Sequence, residues 1–202
     1  MTSKIVILAD GGYFDNLNYY LINKKNKKLS LEKLSKKIVG DKIHLRTKYY
    51  NAYPYQSDNP TPREKENYKR AQQFFYSINK LKNHEFVNVG RVKPKFYECP
   101  HCKKEFMKPG QKGVDVGLAL DLVKMARKKV ADKFVLISGD EDLTAAVEMA
   151  QEELCNVIVY YTSAVYYVSG KEHSIYGSVK LNNMASYRVR MDLAFLESCA
   201  MD

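Results

Sequence analysis

The feature that most constrains this 202-residue chain is a set of short, unbroken apolar runs that stop at acids or small residues. Lys4-Ile-Val-Ile-Leu-Ala9 runs into Asp10-Gly11-Gly12, and Lys133-Phe-Val-Leu-Ile137 runs into Ser138-Gly139-Asp140. A third run, Cys155-Asn-Val-Ile-Val-Tyr-Tyr161, follows. Runs of this length without polar alternation suit strands buried on both faces of a parallel sheet. Between the last two, residues 142–154 carry Leu143, Ala146, Val147 and Ala150 at helical spacing. Strand, helix, strand in that order predicts a right-handed parallel crossover, hence a single α/β domain with a mainly parallel sheet.

The remaining elements hang on that frame. Thr61-Pro62-Arg63-Glu64 combines a capping residue, a proline suited to the first helical position and a glutamate placed to close a capping box. Ala71, Phe74, Phe75, Ile78 and Leu81 then form one stripe, which predicts a helix to about residue 82. Residues 114–130 read as another helix, residues 31–39 as a short one, and 43–53 and 86–92 as strands. A last helix falls around 192–199, after a Tyr-rich piece with no clear pattern. Residues 94–113 break the α/β rhythm with Pro94, Cys99-Pro100-His101-Cys102 and Pro109-Gly110, and read as a surface hairpin insertion.

Acids recur at strand ends. Asp10 closes the first run, Asp140 and Asp142 follow a later one, and Asp115 stands at the mouth of a helix. In an open parallel sheet the strands' carboxyl ends face one edge, where ligands collect, so these four acids can converge. Each pair of carboxylates near 4 Å costs on the order of 4 kcal/mol at an effective dielectric of ~20. A hard divalent cation relieves that repulsion, and oxygen-only ligation selects Mg²⁺ or Mn²⁺ over zinc. Such an ion supports phosphodiester hydrolysis. The competing reading of each Asp is a helix cap or turn residue. Asp121, about 240° round the helix from Asp115, shares no face with it and reads as a supporting group. A phosphotransferase using Asp10 as nucleophile lacks its partner acid, because position 12 is Gly.

The combination Ala9-Asp10-Gly-Gly-Tyr13-Phe14, Lys112-Gly-Val-Asp-Val-Gly-Leu-Ala-Leu-Asp121 and Ser138-Gly-Asp-Glu-Asp-Leu143 resembles the NYN domain family, a branch of the PIN-like nucleases. The resemblance spans about residues 4–161. It implies a Rossmann-like three-layer α/β/α domain that binds Mg²⁺ or Mn²⁺ through Asp10, Asp115, Asp140 and Asp142 and cleaves RNA. Asp121 matches a further recurrent acidic position of that family, and Ser138 stands in the third block. Many members have Asn shortly after the first Asp, where this chain has Gly12 and Tyr13; Asn16 is the nearest substitute. The CxxC insertion departs from the family pattern. The alternative the motifs allow is a catalytically silent RNA-binding or regulatory module that keeps the fold.

Charge points to the partner. Lys plus Arg (33) exceed Asp plus Glu (23), a net +10 that favours polyanions. Residues 24–48 hold ten Lys or Arg against two acids. Lys24, Lys25, Lys27, Lys28, Arg46 and Lys48 are therefore candidate phosphate contacts, as is Lys112 beside the acids. Tyr49, Tyr50, Tyr53 and Tyr55 offer faces on which bases of single-stranded RNA could stack, or side chains for the core. Cys99 and Cys102 supply half of a tetrahedral zinc site, to be completed by a second chain in a homodimer; a plain turn and redox use are the other readings. No apolar run approaches a membrane span, and the first ten residues do not form a secretory leader. The expectation is a cytoplasmic, metal-dependent ribonuclease.

Overall fold

In the computed structural model, which describes residues 2–168 and 170–201, six strands make one parallel sheet in the order β10-β7-β6-β1-β2-β3. The chain runs β1 (Lys4–Asp10), α1 (Gly11–Lys25), α2 (Leu31–Val39), β2 (Ile43–Asn51), α3 (Pro62–Lys80) and β3 (His84–Asn88). A two-stranded antiparallel hairpin, β4 (Arg91–Glu98) and β5 (Glu105–Lys112), interrupts before α4 (Val114–Arg127). Then come β6 (Lys133–Ile137), a 3-10 turn (Glu141–Leu143), α5 (Thr144–Glu152), β7 (Asn156–Tyr161) and a second hairpin, β8 (Ala164–Val168) with β9 (Lys171–Ile175). The chain closes with α6 (Val179–Met184), β10 (Tyr187–Arg190) and α7 (Leu193–Glu197).

The unbroken apolar runs are central strands because successive side chains feed opposite layers. Ile5, Ile7 and Ala9 of β1 pack with Leu17 and Leu21 of α1, Leu34 of α2 and Ile78 of α3. Val6 and Leu8 pack on the other face with Leu118 and Leu122 of α4 and Val147 of α5. A chain that winds outward from β1 in both directions with right-handed crossovers must place its helices on opposite faces. The result is a three-layer α/β/α domain, as the PIN-like reading implied.

Local signals and outcome agree closely in α3. Thr61 Oγ1 accepts from Glu64 N at 3.2 Å, and the Glu64 carboxylate accepts from Thr61 N at 2.7 Å. Two boundaries and one helix differ from the sequence reading. The strand expected over 86–92 is two strands, split by a turn at Gly90, whose φ of 74° suits glycine. The hairpin consequently spans Arg91–Lys112 rather than 94–113. Helix α1 had no counterpart in the reading, because it opens on Gly11-Gly12 and mixes polar and apolar residues without a clean stripe.

Candidate functional site at the sheet switch point

Strand order reverses between β1 and β6, so the carboxyl ends of these two strands border a crevice with no crossover above it. Asp10 ends β1, and Ser138-Gly139-Asp140 leave β6 there. Asp10 caps α1: its Oδ1 accepts from Gly12 N at 2.9 Å and Tyr13 N at 3.2 Å. The buried Ser138 donates from Oγ to Asp10 Oδ2 at 3.2 Å and accepts from Asp140 N at 3.2 Å. The two strand ends are thus tied through one hydroxyl. Asp140 in turn caps the 3-10 turn, its Oδ1 accepting from Asp142 N at 3.0 Å.

Asp115 behaves differently. The N-cap of α4 is Gly113, at φ 86°, and no side chain caps that helix. Asp115 sits in the first turn and its carboxylate faces a cavity of about 390 Å³, shared with Asp10, Asp140, Asn16 and Lys112. The cap reading therefore holds for Asp10 and Asp140 as an additional role and fails for Asp115. It also moves from Asp142, which lies inside the 3-10 turn, to Asp140. Gly139 is required here because a Cβ would lie 2.0 Å from the Tyr176 carbonyl oxygen. That carbonyl follows β9, so the second hairpin walls the cavity.

The electrostatics follow from this crowding. Burial, with the nearby Asp115 carboxylate adding to it, pushes the Asp10 carboxyl up to about 6 despite its hydrogen bonds. Burial and then Asp140 and Asp142 raise Asp115. The carboxylates feel one another, but among the described residues no three His, Cys, Asp or Glu side chains close on one point. Mg²⁺ as a rule keeps several waters and takes one or two carboxylates plus substrate oxygens rather than an all-protein cage. The donors are hard oxygens throughout, so the residues fit the ion that the fold implies.

Other candidates lie elsewhere. Asp121 points at β2, accepting from Lys48 Nζ and, at 3.0 Å, from the Tyr50 hydroxyl. Lys48 is therefore neutralised within the protein, and Arg46 is exposed near the start of β2. Lys24, Lys25, Lys27 and Lys28 sit at and beyond the far end of α1. Fifteen residues at about 1.5 Å each put that end roughly 22 Å from Asp10. Tyr49 and Tyr50 are fully buried, so the core reading replaces base stacking for both. Cys99 and Cys102 stand at the β4–β5 tip, while Cys155 and Cys199 are buried.

Sequence reasoning missed Asp15, Gln111 and the β8–β9 wall. Asp15 lines a second cavity of about 580 Å³ beside α1, with Phe14, Asn51 and Phe74. Burial lifts its carboxyl to about 6, although the Tyr49 hydroxyl donates to it at 3.5 Å. Gln111 lines the acidic cavity and donates to Asn51 Oδ1 at 3.0 Å. The usable signal was glycine: Gly11 is where Asn51 crosses, since a Cβ there would lie 2.4 Å from Asn51 Nδ2.

An open parallel α/β sheet with acids gathered at its switch point defines a class of ligand-binding domains whose chemistry sits outside the strand ends. The sequence matches the NYN domain over residues 4–173, and the chain belongs to that family, whose fold is the PIN-like nuclease fold. A crystal structure of a protein of unknown function from Vibrio parahaemolyticus, VPA0982, aligns over 99% of this chain and 97% of its own, with a TM-score of 0.57 and 21% identity. That likeness shows the shared fold. The uncharacterized protein y4oD of Sinorhizobium fredii is 46% identical over 41 residues, which is 20% of this chain and 19% of that relative's length. No helix among the described residues is long and apolar enough to cross a membrane.

Proposed function

We propose that this protein is a metal-dependent ribonuclease that hydrolyses RNA phosphodiesters at the cavity between β1, α4 and β6. The single observation that carries the reading is the meeting of Asp10, Asp115 and Asp140, from three separate elements, in one cavity at the switch point. Asp10, Asp115 and Asp140 would hold Mg²⁺ or Mn²⁺, with Asp142 close enough to add its charge. A divalent ion there supplies polarisation of a phosphoryl oxygen and acidification of bound water.

The chain's own residues do the rest. Ser138 and the α1 amides fix the Asp10 carboxylate, so it does not turn toward solvent. Asp115 caps no helix and lines the cavity. Lys112, at the rim, is placed for a substrate phosphate, and Gln111 beside it offers an amide to a sugar or phosphate oxygen. The protein would act in the cytoplasm on single-stranded RNA. At the hairpin tip, backbone N–H groups of Cys102 and His101 lower the Cys99 thiol, which favours thiolate. Cys99 and Cys102 from two chains would complete a zinc site in a homodimer, one zinc per two chains. Zinc well below half an equivalent per chain, in protein purified without chelator, removes that element.

A silent RNA-binding module is favoured by one observation: Asp10 and Asp140 already spend oxygens on backbone amides. Cleavage assays separate the two readings. The parent should degrade single-stranded RNA with Mg²⁺ or Mn²⁺ and stop on chelation. Asp10→Asn, Asp115→Asn and Asp140→Asn should each fall at least 100-fold with the fold retained, since Asn caps helices as well as Asp. RNA binding with no cleavage under any metal establishes the silent module instead.

A further inference from the structure

The β4–β5 hairpin carries a surface that neither the acidic cavity nor the family fold explains. Strand alternation puts Arg91, Lys93, Lys95 and Tyr97 on one face. The register sets Lys112 opposite Arg91, Gly110 opposite Lys93 and Phe106 opposite Tyr97. Arg91, Lys93 and Lys95 are exposed while Val92 and Pro94 are half-buried, so the cationic face is the outer one. Like charges directly opposed destabilise a strand pair, and Arg91 faces Lys112 across the ladder. Among the described residues none of these four cations enters an ion pair, unlike Lys25, Lys27 and Lys48.

At the far end the rings of Tyr97 and Phe106 stack, with centroids 5.8 Å apart at 22°, yet are 43% and 51% exposed. The near end is continuous with the site, because Gln111 and Lys112 line the acidic cavity. Eight residues at about 3.3 Å each make the arm roughly 26 Å long. An isolated two-stranded ribbon is marginal in water, so this one gains from a ligand along its length.

We propose that the β4–β5 hairpin is an RNA-holding arm. A single strand leaving the acidic cavity follows Lys112, Arg91, Lys93 and Lys95 through its phosphates and stacks a base on the Tyr97–Phe106 pair. Single strands are specified because a duplex keeps its base faces stacked away from such a platform. The proposal rests on the ribonuclease reading for its substrate and goes beyond it in naming the binding surface.

The test is anisotropy of a labelled 12-nucleotide single-stranded RNA with the full chain in EDTA, across a salt series. Lys93→Glu with Lys95→Glu is compared with Lys65→Glu plus Lys69→Glu on the exposed side of α3, which changes net charge equally. The arm pair should bind at least tenfold more weakly than that control and flatten the log–log salt slope by about 1.4, at ~0.7 per lost contact. Tyr97→Ala with Phe106→Ala should weaken binding about tenfold, the loss of one stacked base, with the slope unchanged. All four positions are exposed, and circular dichroism confirms folding. Arm variants that bind no worse than the control overturn the arm. Parallel Mn²⁺-dependent cleavage by the parent then shows whether the ribonuclease reading survives. A parent that neither binds nor cleaves this RNA overturns both, and a preference for duplex overturns the arm alone.

Discussion

The two edges of the parallel sheet carry two different uses of charge. At the carboxyl edge, Asp10, Asp115 and Asp140 line one cavity, and on the arm beside them Arg91, Lys93, Lys95 and Lys112 enter no ion pair among the described residues, while Glu98 at the tip pairs with Lys103. At the opposite end of α1, the lysine turn looks denser in sequence, yet Lys25 and Lys27 both engage Glu197 at 2.8 and 3.0 Å. The cationic face of the arm enters no ion pair among the described residues, whereas two of the four lysines at the turn are balanced locally. Uncompensated charge of both signs at one place is what a phosphate–metal substrate complex neutralises. Density of lysine along the chain does not by itself locate that place.

The largest test of this contrast uses metal rather than RNA. Mn²⁺ at about 100 times its Kd should raise Tm by roughly 5–10 °C, from about 2.7 kcal/mol of linkage. Asp10→Asn with Asp140→Asn should abolish that gain, whereas Lys24→Glu with Lys27→Glu should keep it. Calorimetry of these proteins decides whether the carboxyl edge alone takes the ion; an equal gain in both breaks the comparison.

Next in size is Asp15, behind the same edge. Its folded carboxyl titrates near 6 rather than 3.8 because it is buried. Between those values the native state holds a proton that the unfolded chain has released. The stabilising contribution is full below about pH 4 and is lost as pH rises through 6. Asp15→Asn should therefore stabilise the protein by roughly 1–2 kcal/mol at pH 8, allowing for its partial exposure, and by nothing at pH 4. Denaturant midpoints at the two pH values check this, and equal shifts at both would show that burial does not govern the group.

Smaller effects are expected at the lysine turn. Lys24→Glu with Lys27→Glu should weaken binding of single-stranded RNA less than threefold, against tenfold or more for the arm. A larger loss would return the phosphate track to the turn. Smallest of all, Glu197→Gln releases Lys25 and Lys27 and should raise RNA affinity less than twofold, read from the same titration.

What could be read from the residues was whatever is encoded locally. Unbroken runs such as residues 4–9 specify two-sided burial in any context. The Thr61–Glu64 capping box closes within four residues, and the acids at strand ends mark the sheet edge once the strands are parallel. The missing pieces depend on partners distant in sequence. Helix α1 buries Phe14, Leu17 and Leu21 against the sheet, but Tyr19, Tyr20 and Ile22 on its other faces blur that stripe in the sequence, and the β8–β9 hairpin has meaning only as the wall that Gly139 approaches.

Legible in the residues alone were the α/β class, the central strands with their parallel crossover and the acids at their ends, because periodicity, caps and breakers act over a few residues. Tertiary structure decided which charges are already paired. Lys48 and Asp121 lie 73 residues apart and neutralise each other across α4 and β2. Lys93 and Lys95 look unremarkable in sequence, and among the described residues they enter no ion pair, on the arm that leads from the acidic cavity. A charge's availability depends on what the fold brings within a few ångströms of it, and that distance is not written in the chain's local pattern.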